Sequence, residues 1–174
     1  NKKYSGKTTM EYINQEGIAL SKYGDVGYGE LVKKDKYENK LFCDELLGKS
    51  VDVLKNVVKE NGIKALTFVP SLRSDIVKNF AERLAKKLNI EFLETLKKEP
   101  AREQKYMQNS PHQCENAFES FHIIEGVNVP KDILLIDDMV DSKWTFTICG
   151  YRLMENGAEK VFPFALADSS RNEV

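Results

Sequence analysis

The clearest pattern in the chain is the run Ile133-Leu134-Leu135-Ile136-Asp137-Asp138-Met139-Val140-Asp141-Ser142-Lys143-Trp144-Thr145. Its apolar beginning is short, continuous and bounded by polar residues, which predicts a strand that is buried on both faces. Asp137 and Asp138 follow as two adjacent carboxylates. Because ligands of open α/β sheets lie just beyond the carboxyl ends of the strands, we expect both acids at that edge, where their charges stay solvated.

The turn that follows the two acids has the chemistry of a phosphate site. A helical pattern begins near Thr145, and the free N–H groups and positive dipole end of a helix favour an anion. The hydroxyls of Ser142 and Thr145 can donate to phosphate oxygens or can cap the helix. Carboxylates for sugar hydroxyls or a hydrated metal ion, beside such donors, predict a ribose-phosphate site.

A second strand, loop and helix precede this one in the chain. Ala65 to Val69 reads as a buried strand, and a helix with one apolar face is predicted from about Asp75 to Leu88. The loop between them contains Ser71-Leu72-Arg73-Ser74. Arg73, with the two serines, can hold a diphosphate by charge-assisted hydrogen bonds, although an exposed loop arginine without a ligand is an equally good interpretation.

Strands and helices alternate along the rest of the chain. The pattern predicts helices over Asp44–Glu60 and Thr145–Asn156, and strands over Ile90–Leu96, Phe118–Ile124 and Val161–Ala167. Pro163 inside the last run indicates an edge strand or a bulge. The alternation predicts an α/β fold of three layers, in which a mostly parallel twisted sheet is flanked by helices.

The domain organisation follows from composition along the chain. Residues 1–16 are polar and read as a linker or arm, and residues 17–174 suit one domain with a full core. Tyr23 to Gly29 reads as a tight turn in a small irregular N-terminal hood. Ser5-Gly6-Lys7-Thr8 resembles the end of a P-loop but lacks the earlier glycine and strand, so it is rejected as a nucleotide site.

Composition excludes several classes of function. The net charge of −1 argues against a nucleic-acid-binding module, and the lysines of Lys33–Lys36 and Lys97–Lys98 read as solvated faces. No apolar run is long enough to cross a membrane, so no membrane partner is expected. The three cysteines are scattered singly, which fits a reducing cytoplasm. A start at Asn1 rather than Met favours a piece of a longer protein.

The acidic run resembles the phosphoribosyl-diphosphate signature of type I phosphoribosyltransferases. That resemblance implies their fold, with Asp137 and Asp138 on the ribose and the loop Ser142, Lys143, Trp144 and Thr145 around its phosphate. It also implies a diphosphate held by Ser71, Leu72, Arg73 and Ser74. Mg²⁺ would have no direct protein ligand, and Asp137 and Asp138 would reach it through water. Asp141 is either the general base near a purine-type ring nitrogen or an acid that stabilises the loop before the helix.

Lys143 departs from the signature, because the family has a glycine at this place. Glycine there allows close approach of the backbone and unusual dihedral angles. Lys143 either replaces N–H contacts with a positive charge or, together with Trp144, blocks the pocket.

Further segments resemble a particular branch of the family. Phe68-Val69-Pro70, Asn79 to Ala85, Gln104-Lys105 and Asn116-Ala117-Phe118 are similar in order to ComF-type phosphoribosyltransferase-like proteins. Together with Tyr23-Gly24-Asp25 and the Asp138–Thr145 run, they resemble the C-terminal extension of certain bacterial RecQ-family ATP-dependent DNA helicases. The resemblance implies a helicase core in cis and contact with DNA through a part outside this sequence.

Three functions remain open from the sequence. The first is a regulatory module that binds a phosphorylated ribose or nucleotide, within a helicase that acts in DNA repair and recombination. The second is an active Mg²⁺-dependent phosphoribosyltransferase that uses phosphoribosyl diphosphate. The third is an interaction domain with a dead pocket. A homodimer is one option for its assembly.

Overall fold

The structure, a computed structural model, describes residues 13–100, 118–140 and 144–169. Its strands are β1 (Ile18–Ala19), β2 (Ala65–Phe68), β3 (Glu91–Phe92), β4 (Leu96–Lys98), β5 (Phe121–Ile123), β6 (Asp132–Val140) and β7 (Lys160–Asp168). Its α-helices are α1 (Tyr28–Lys34), α2 (Asp44–Asn61), α3 (Ile76–Leu88) and α4 (Trp144–Glu155). One π-helical turn, Asp35–Asn39, continues directly from α1.

Five strands form a parallel sheet in the order β1-β7-β6-β2-β3, and β4 and β5 form a separate antiparallel pair. The alternation of side chains along β6 divides the core into two. Leu134 and Ile136 pack with the apolar faces of α1, α2 and α3, whereas Ile133 and Leu135 pack with α4 and the β4–β5 pair. The predicted α/β fold, with a parallel sheet between helical layers, is confirmed.

Strand β6 does not end where the sequence indicated. It continues through Asp137 and Asp138 to Val140, because β7 is long enough to pair with it that far, up to Val140 against Asp168. Strand β2 makes its last pair with β6 at Ile136. The two acids therefore lie within a strand that β7 supports on one side, and just past the end of β2 on the other.

Two other strand predictions need correction. The run Ile90–Leu96 divides into β3, which pairs with β2, and the start of β4, which belongs to the second sheet. Pro163 is neither at an edge nor in a bulge, because β7 lies between β1 and β6 in unbroken register. The carbonyls of Val161 and Ala165 point toward the N-terminal segment, so the alternation places the missing N–H of Pro163 on that side, away from β6.

The sequence predicted an irregular N-terminal hood, but this part of the chain has regular secondary structure, namely the edge strand β1 and helix α1. Within the predicted arm, the backbone N–H of Gln15 donates to the Val161 carbonyl at 2.8 Å, and the Asn14 amide donates to the Phe146 carbonyl at 2.8 Å. Residues 1–12 of that arm lie outside the described residues. Among the helices of the described ranges, none has the length and apolar character needed to cross a membrane.

Candidate functional site

A pocket of about 610 Å³ lies at the carboxyl ends of β2 and β6, two neighbouring strands from which the chain continues to opposite edges of the sheet. From β2 the chain moves outward to β3, and from β6 it moves outward in the opposite direction to β7. A crevice at the carboxyl ends of two such strands is where open α/β sheets bind ligands. The pocket brings together six residues that the sequence predicted for a site: Ser71, Arg73, Ser74, Asp137, Asp138 and Thr145.

The two acids of β6 differ in their surroundings, although they are adjacent. The Asp137 side chain is half-buried, and its Oδ1 accepts a hydrogen bond from the Asp138 backbone N–H at 2.8 Å. Burial, followed by the charge of Asp138, raises the pKa of Asp137 well above its ordinary value. Asp138 instead forms an ion pair with the Lys36 ammonium group at 2.9 Å. The expectation that both charges stay solvated is therefore wrong, because burial desolvates the Asp137 carboxyl and the Asp138 side chain is only 13% exposed.

Lys36 is held at the pocket by the π-helical turn. The side chain of Asp35, which is only 1% exposed, accepts hydrogen bonds from the Cys43 backbone N–H at 2.8 Å and from the Asn39 amide at 2.7 Å. These two bonds tie Asp35 to the middle and to the end of the segment between α1 and α2. That segment carries Lys36, Tyr37 and Lys40, which line the pocket. The turn ends at Lys40 with φ at 56°, in the left-handed region.

The loop after β2 presents hydroxyls in a fixed arrangement. Ser71 Oγ accepts a hydrogen bond from the Arg73 backbone N–H at 3.2 Å, and Ser74 Oγ accepts one from the Ile76 backbone N–H at 3.1 Å. Each serine uses an acceptor site in these bonds, so its O–H remains available to donate to an anion. The start of α3 also lines the pocket, which adds the positive end of a helix dipole.

Two lysines that the sequence analysis assigned to solvated faces belong to this pocket. Lys36 and Lys98 line it, and Lys98 Nζ lies 5.3 Å from the centre of the Phe121 ring. Successive side chains of a strand point to opposite faces, so Lys98 shares a face with the buried Leu96, whereas Lys97 lies on the exposed face. The residues that sequence reasoning missed are therefore Lys36, Tyr37, Lys40, Lys98 and Phe121.

Other predicted site residues lie elsewhere. Leu72 does not line the pocket and is 56% exposed. Trp144 begins α4 and packs against the apolar cluster on the α4 side of the sheet. Asp141, Ser142 and Lys143, which include the predicted general base and the lysine at the glycine position, lie outside the described residues.

The pocket is a poor fit for a directly bound Mg²⁺ ion. Such an ion takes oxygen ligands and usually one or two carboxylates. Asp138 is already paired with Lys36, and the raised pKa of Asp137 opposes its charged form. Within the described ranges, no group of three or more histidine, cysteine, aspartate or glutamate side chains is arranged to hold a metal ion.

Comparisons with known proteins return phosphoribosyltransferases among the solved structures. No protein-family model matches the chain, and no curated protein sequence matches it. Adenine phosphoribosyltransferase from Saccharomyces cerevisiae, in complex with adenine and an imino-altritol bisphosphate, is 18% identical with a TM-score of 0.44, over 69% of this chain and 67% of that one. The enzyme of the same name from Leishmania tarentolae is 16% identical with a TM-score of 0.46, over 72% of each chain.

A larger protein also appears among the similar structures. The glutamine phosphoribosylpyrophosphate amidotransferase from B. subtilis, in complex with ADP and GMP, is 22% identical with a TM-score of 0.44, over 68% of this chain. The chain spans only 24% of that amidotransferase. Because these three identities are all below 25% and the three TM-scores are all below 0.5, the similarities do not establish membership of a family.

Proposed function

We propose that the pocket between β2 and β6 binds a phosphorylated ribose, either as a nucleotide or as phosphoribosyl diphosphate. One observation carries this proposal: the Ser71–Ser74 loop and the acids Asp137 and Asp138 line the same pocket, although they are far apart in the sequence. The sequence resemblance assigns these two segments to the diphosphate and to the ribose, respectively. Their juxtaposition is what a single ligand carrying both groups requires.

The chemistry of the walls suits such a ligand. Carboxylate oxygens accept hydrogen bonds from ribose hydroxyls, and the serine hydroxyls and the Arg73 guanidinium donate to phosphate oxygens. Among the described residues, four cationic side chains and two carboxyls line the pocket, so positive charge exceeds negative charge in that part of the chain. The chain as a whole has a net charge of −1. The local excess therefore favours an anion at this place rather than over the whole surface.

Arg73→Ala tests the proposal by calorimetric titration with phosphoribosyl diphosphate. Arg73 is exposed, so its removal should leave the fold intact, and the lost charge-assisted hydrogen bonds should weaken binding on the order of tenfold or more. Lys86→Ala is the matched control, because Lys86 is an exposed cation in the last turn of α3, away from the pocket. Equal affinity of the parent and Arg73→Ala, or no binding by the parent, would contradict the proposal.

An active phosphoribosyltransferase is the second candidate. The observation that favours it is that the diphosphate-type loop and the two acids line one pocket, so that a leaving diphosphate would meet preorganised donors. Asp141 remains the proposed base, carried by the sequence resemblance alone. Release of diphosphate from phosphoribosyl diphosphate and a nucleobase distinguishes the two functions, since a binding module would show affinity without turnover.

The wider setting of the chain is also a proposal. That it is the C-terminal module of a RecQ-type DNA helicase rests on the sequence resemblance of segments such as Tyr23-Gly24-Asp25 and the Asp138–Thr145 run. It predicts that a parent protein carries a DNA-stimulated ATPase whose rate responds to the ligand of this pocket. ATPase assays with and without phosphoribosyl diphosphate, on the parent protein and on its Arg73→Ala variant, test that link.

A further inference from the structure

The ion pair between Lys36 and Asp138 lies beside the acids that the sequence resemblance connects through water to Mg²⁺. Lys36 Nζ is 2.9 Å from Asp138 Oδ2, and the two side chains are only 24% and 13% exposed. Surface ion pairs between exposed side chains contribute little to stability and are easily replaced by water. This pair is largely shielded, so water competes less for the two charges than it does at an exposed pair, and the ammonium group lies at the acidic end of β6.

The protein holds Lys36 there by means of a neighbouring residue. Asp35 is buried, and its two hydrogen bonds, to the Cys43 backbone and the Asn39 side chain, fix the turn that carries Lys36. Long side chains lose rotamer entropy when they are ordered, and a fixed backbone reduces that cost. The position of Lys36 is therefore built into the fold between α1 and α2.

The charge balance of the pocket also differs from that of a metal site. Lys40, Arg73 and Lys98 line the pocket in addition to Lys36, against the two carboxyls of β6. After Lys36 has paired with Asp138, three cationic side chains of the described lining remain for a phosphate or diphosphate. No added divalent cation is needed to make this pocket attractive to an anion.

We propose that Lys36 takes the place of a divalent cation, so that the pocket binds its phosphorylated ribose as the metal-free anion. The ammonium group has three N–H donors and can bridge Asp138 and an oxygen of the ligand at the same time. This inference rests on the proposed function and adds the form in which the ligand binds. It makes Lys36 the residue that sets the metal requirement.

Titration of the unaltered protein with phosphoribosyl diphosphate, in EDTA and in excess Mg²⁺, is the first test. The inference predicts that binding in EDTA is at least as tight as in excess Mg²⁺, because Mg²⁺ complexes the diphosphate in solution and lowers the concentration of the metal-free anion. Binding that requires Mg²⁺ would overturn the role of Lys36 while leaving the proposed function supported. Absence of binding under both conditions would overturn the proposed function, and the inference with it.

Lys36→Met is the second test, with Lys33→Met as its control. Methionine keeps the length and apolar stem of the lysine, and Lys33 is an exposed lysine in α1 that does not line the pocket. In EDTA, Lys36→Met should bind phosphoribosyl diphosphate on the order of tenfold more weakly, and Mg²⁺ should restore part of that loss. Lys33→Met should match the parent. Equal affinity of Lys36→Met and the parent in EDTA would overturn the inference.

A third test measures metal binding by the protein in the absence of phosphoribosyl diphosphate. Mn²⁺ titration followed by water proton relaxation should show no site in the parent and a new weak site in Lys36→Met, because Asp138 is then free to coordinate. Adding Asp138→Asn to that variant should remove the site. A strong Mn²⁺ site in the unaltered protein that Asp138→Asn removes would show that Lys36 does not exclude the cation.

Discussion

The pKa of Asp137 is set by the burial of its side chain and by the neighbouring acid. Its carboxyl is half-buried beside a second acid, and burial, followed by the charge of Asp138, raises its pKa well above the ordinary value. A group whose folded-state pKa is raised contributes stability that is present at low pH and is lost as the pH rises through the folded pKa. At neutral pH, Asp137 is therefore expected to cost stability.

Asp137→Asn should raise the free energy of unfolding at pH 7 by on the order of 1 kcal/mol. The amide oxygen of asparagine can still accept the hydrogen bond from the Asp138 N–H, while the buried charge and its repulsion are removed. The gain should shrink as the pH falls and vanish below about pH 4, where the parent carboxyl is protonated in both states. Urea unfolding of both proteins across this pH range measures it.

Asp52→Asn is the control for that comparison, because Asp52 is an exposed acid on α2. It should change stability by no more than a few tenths of a kcal/mol at any pH. An Asp137→Asn variant that is less stable than the parent at neutral pH would show that the carboxylate, not the neutral acid, is favoured in the fold.

At the same scale, the sequence revealed the acids but not the cation that faces one of them. Asp137 and Asp138 stand out because two carboxylates follow a buried apolar run. Lys36 lies roughly a hundred positions earlier in a charged segment that looks like any solvated face. Its role depends on the π-helical turn and on the buried Asp35, and neither has a recognisable local pattern.

Among the elements, α1 depends on a close backbone contact that its sequence does not reveal. A Cβ on Gly29 would meet the backbone carbonyl oxygen of Lys22, which cannot move aside as a flexible side chain would. Helix α1 therefore packs directly on the turn that follows β1. Because α1 leads into the π-helical turn, this contact also sets where Lys36 lies.

Gly29→Ala should consequently destabilise the protein by about 1–3 kcal/mol, through overpacking of α1 against the turn. Gly48→Ala is a matched change in α2, where a Cβ would meet nothing within 4 Å. That variant should be more stable than the parent by up to about 1 kcal/mol, because alanine has the higher helix propensity. Thermal unfolding of the two variants measures the contrast, and similar effects of both would show that α1 does not pack as described.

The length of β6 illustrates what local patterns cannot determine about an element. The apolar run from Ile133 to Ile136 correctly predicts a buried strand, but two acids at its end look like the start of a loop. The strand continues because β7 supplies pairing partners up to Asp168. Where a strand ends depends on its neighbours in the sheet, which lie far away in the sequence.

For the whole molecule, the alternation of strands and helices was enough to predict the α/β class and the parallel sheet. It was not enough to predict the order of the strands, the separation of β4 and β5 into a second sheet, or the contribution of β1 to the edge. These features arise from long-range packing. They place the loop after β2 beside the acids of β6, and the candidate site exists because of that placement.

Binding of a phosphorylated ribose in the pocket between β2 and β6 is tested most directly by mapping the position of the ligand on the protein. Backbone amide chemical shifts should be followed by NMR while phosphoribosyl diphosphate is added. We expect the perturbed amides to cluster at Lys36–Lys40, Ser71–Ser74 and Asp137–Val140, around the pocket between β2 and β6. Perturbations centred elsewhere, for example around the cavity between β1 and the start of α4, or no perturbation at saturating ligand, would contradict the account.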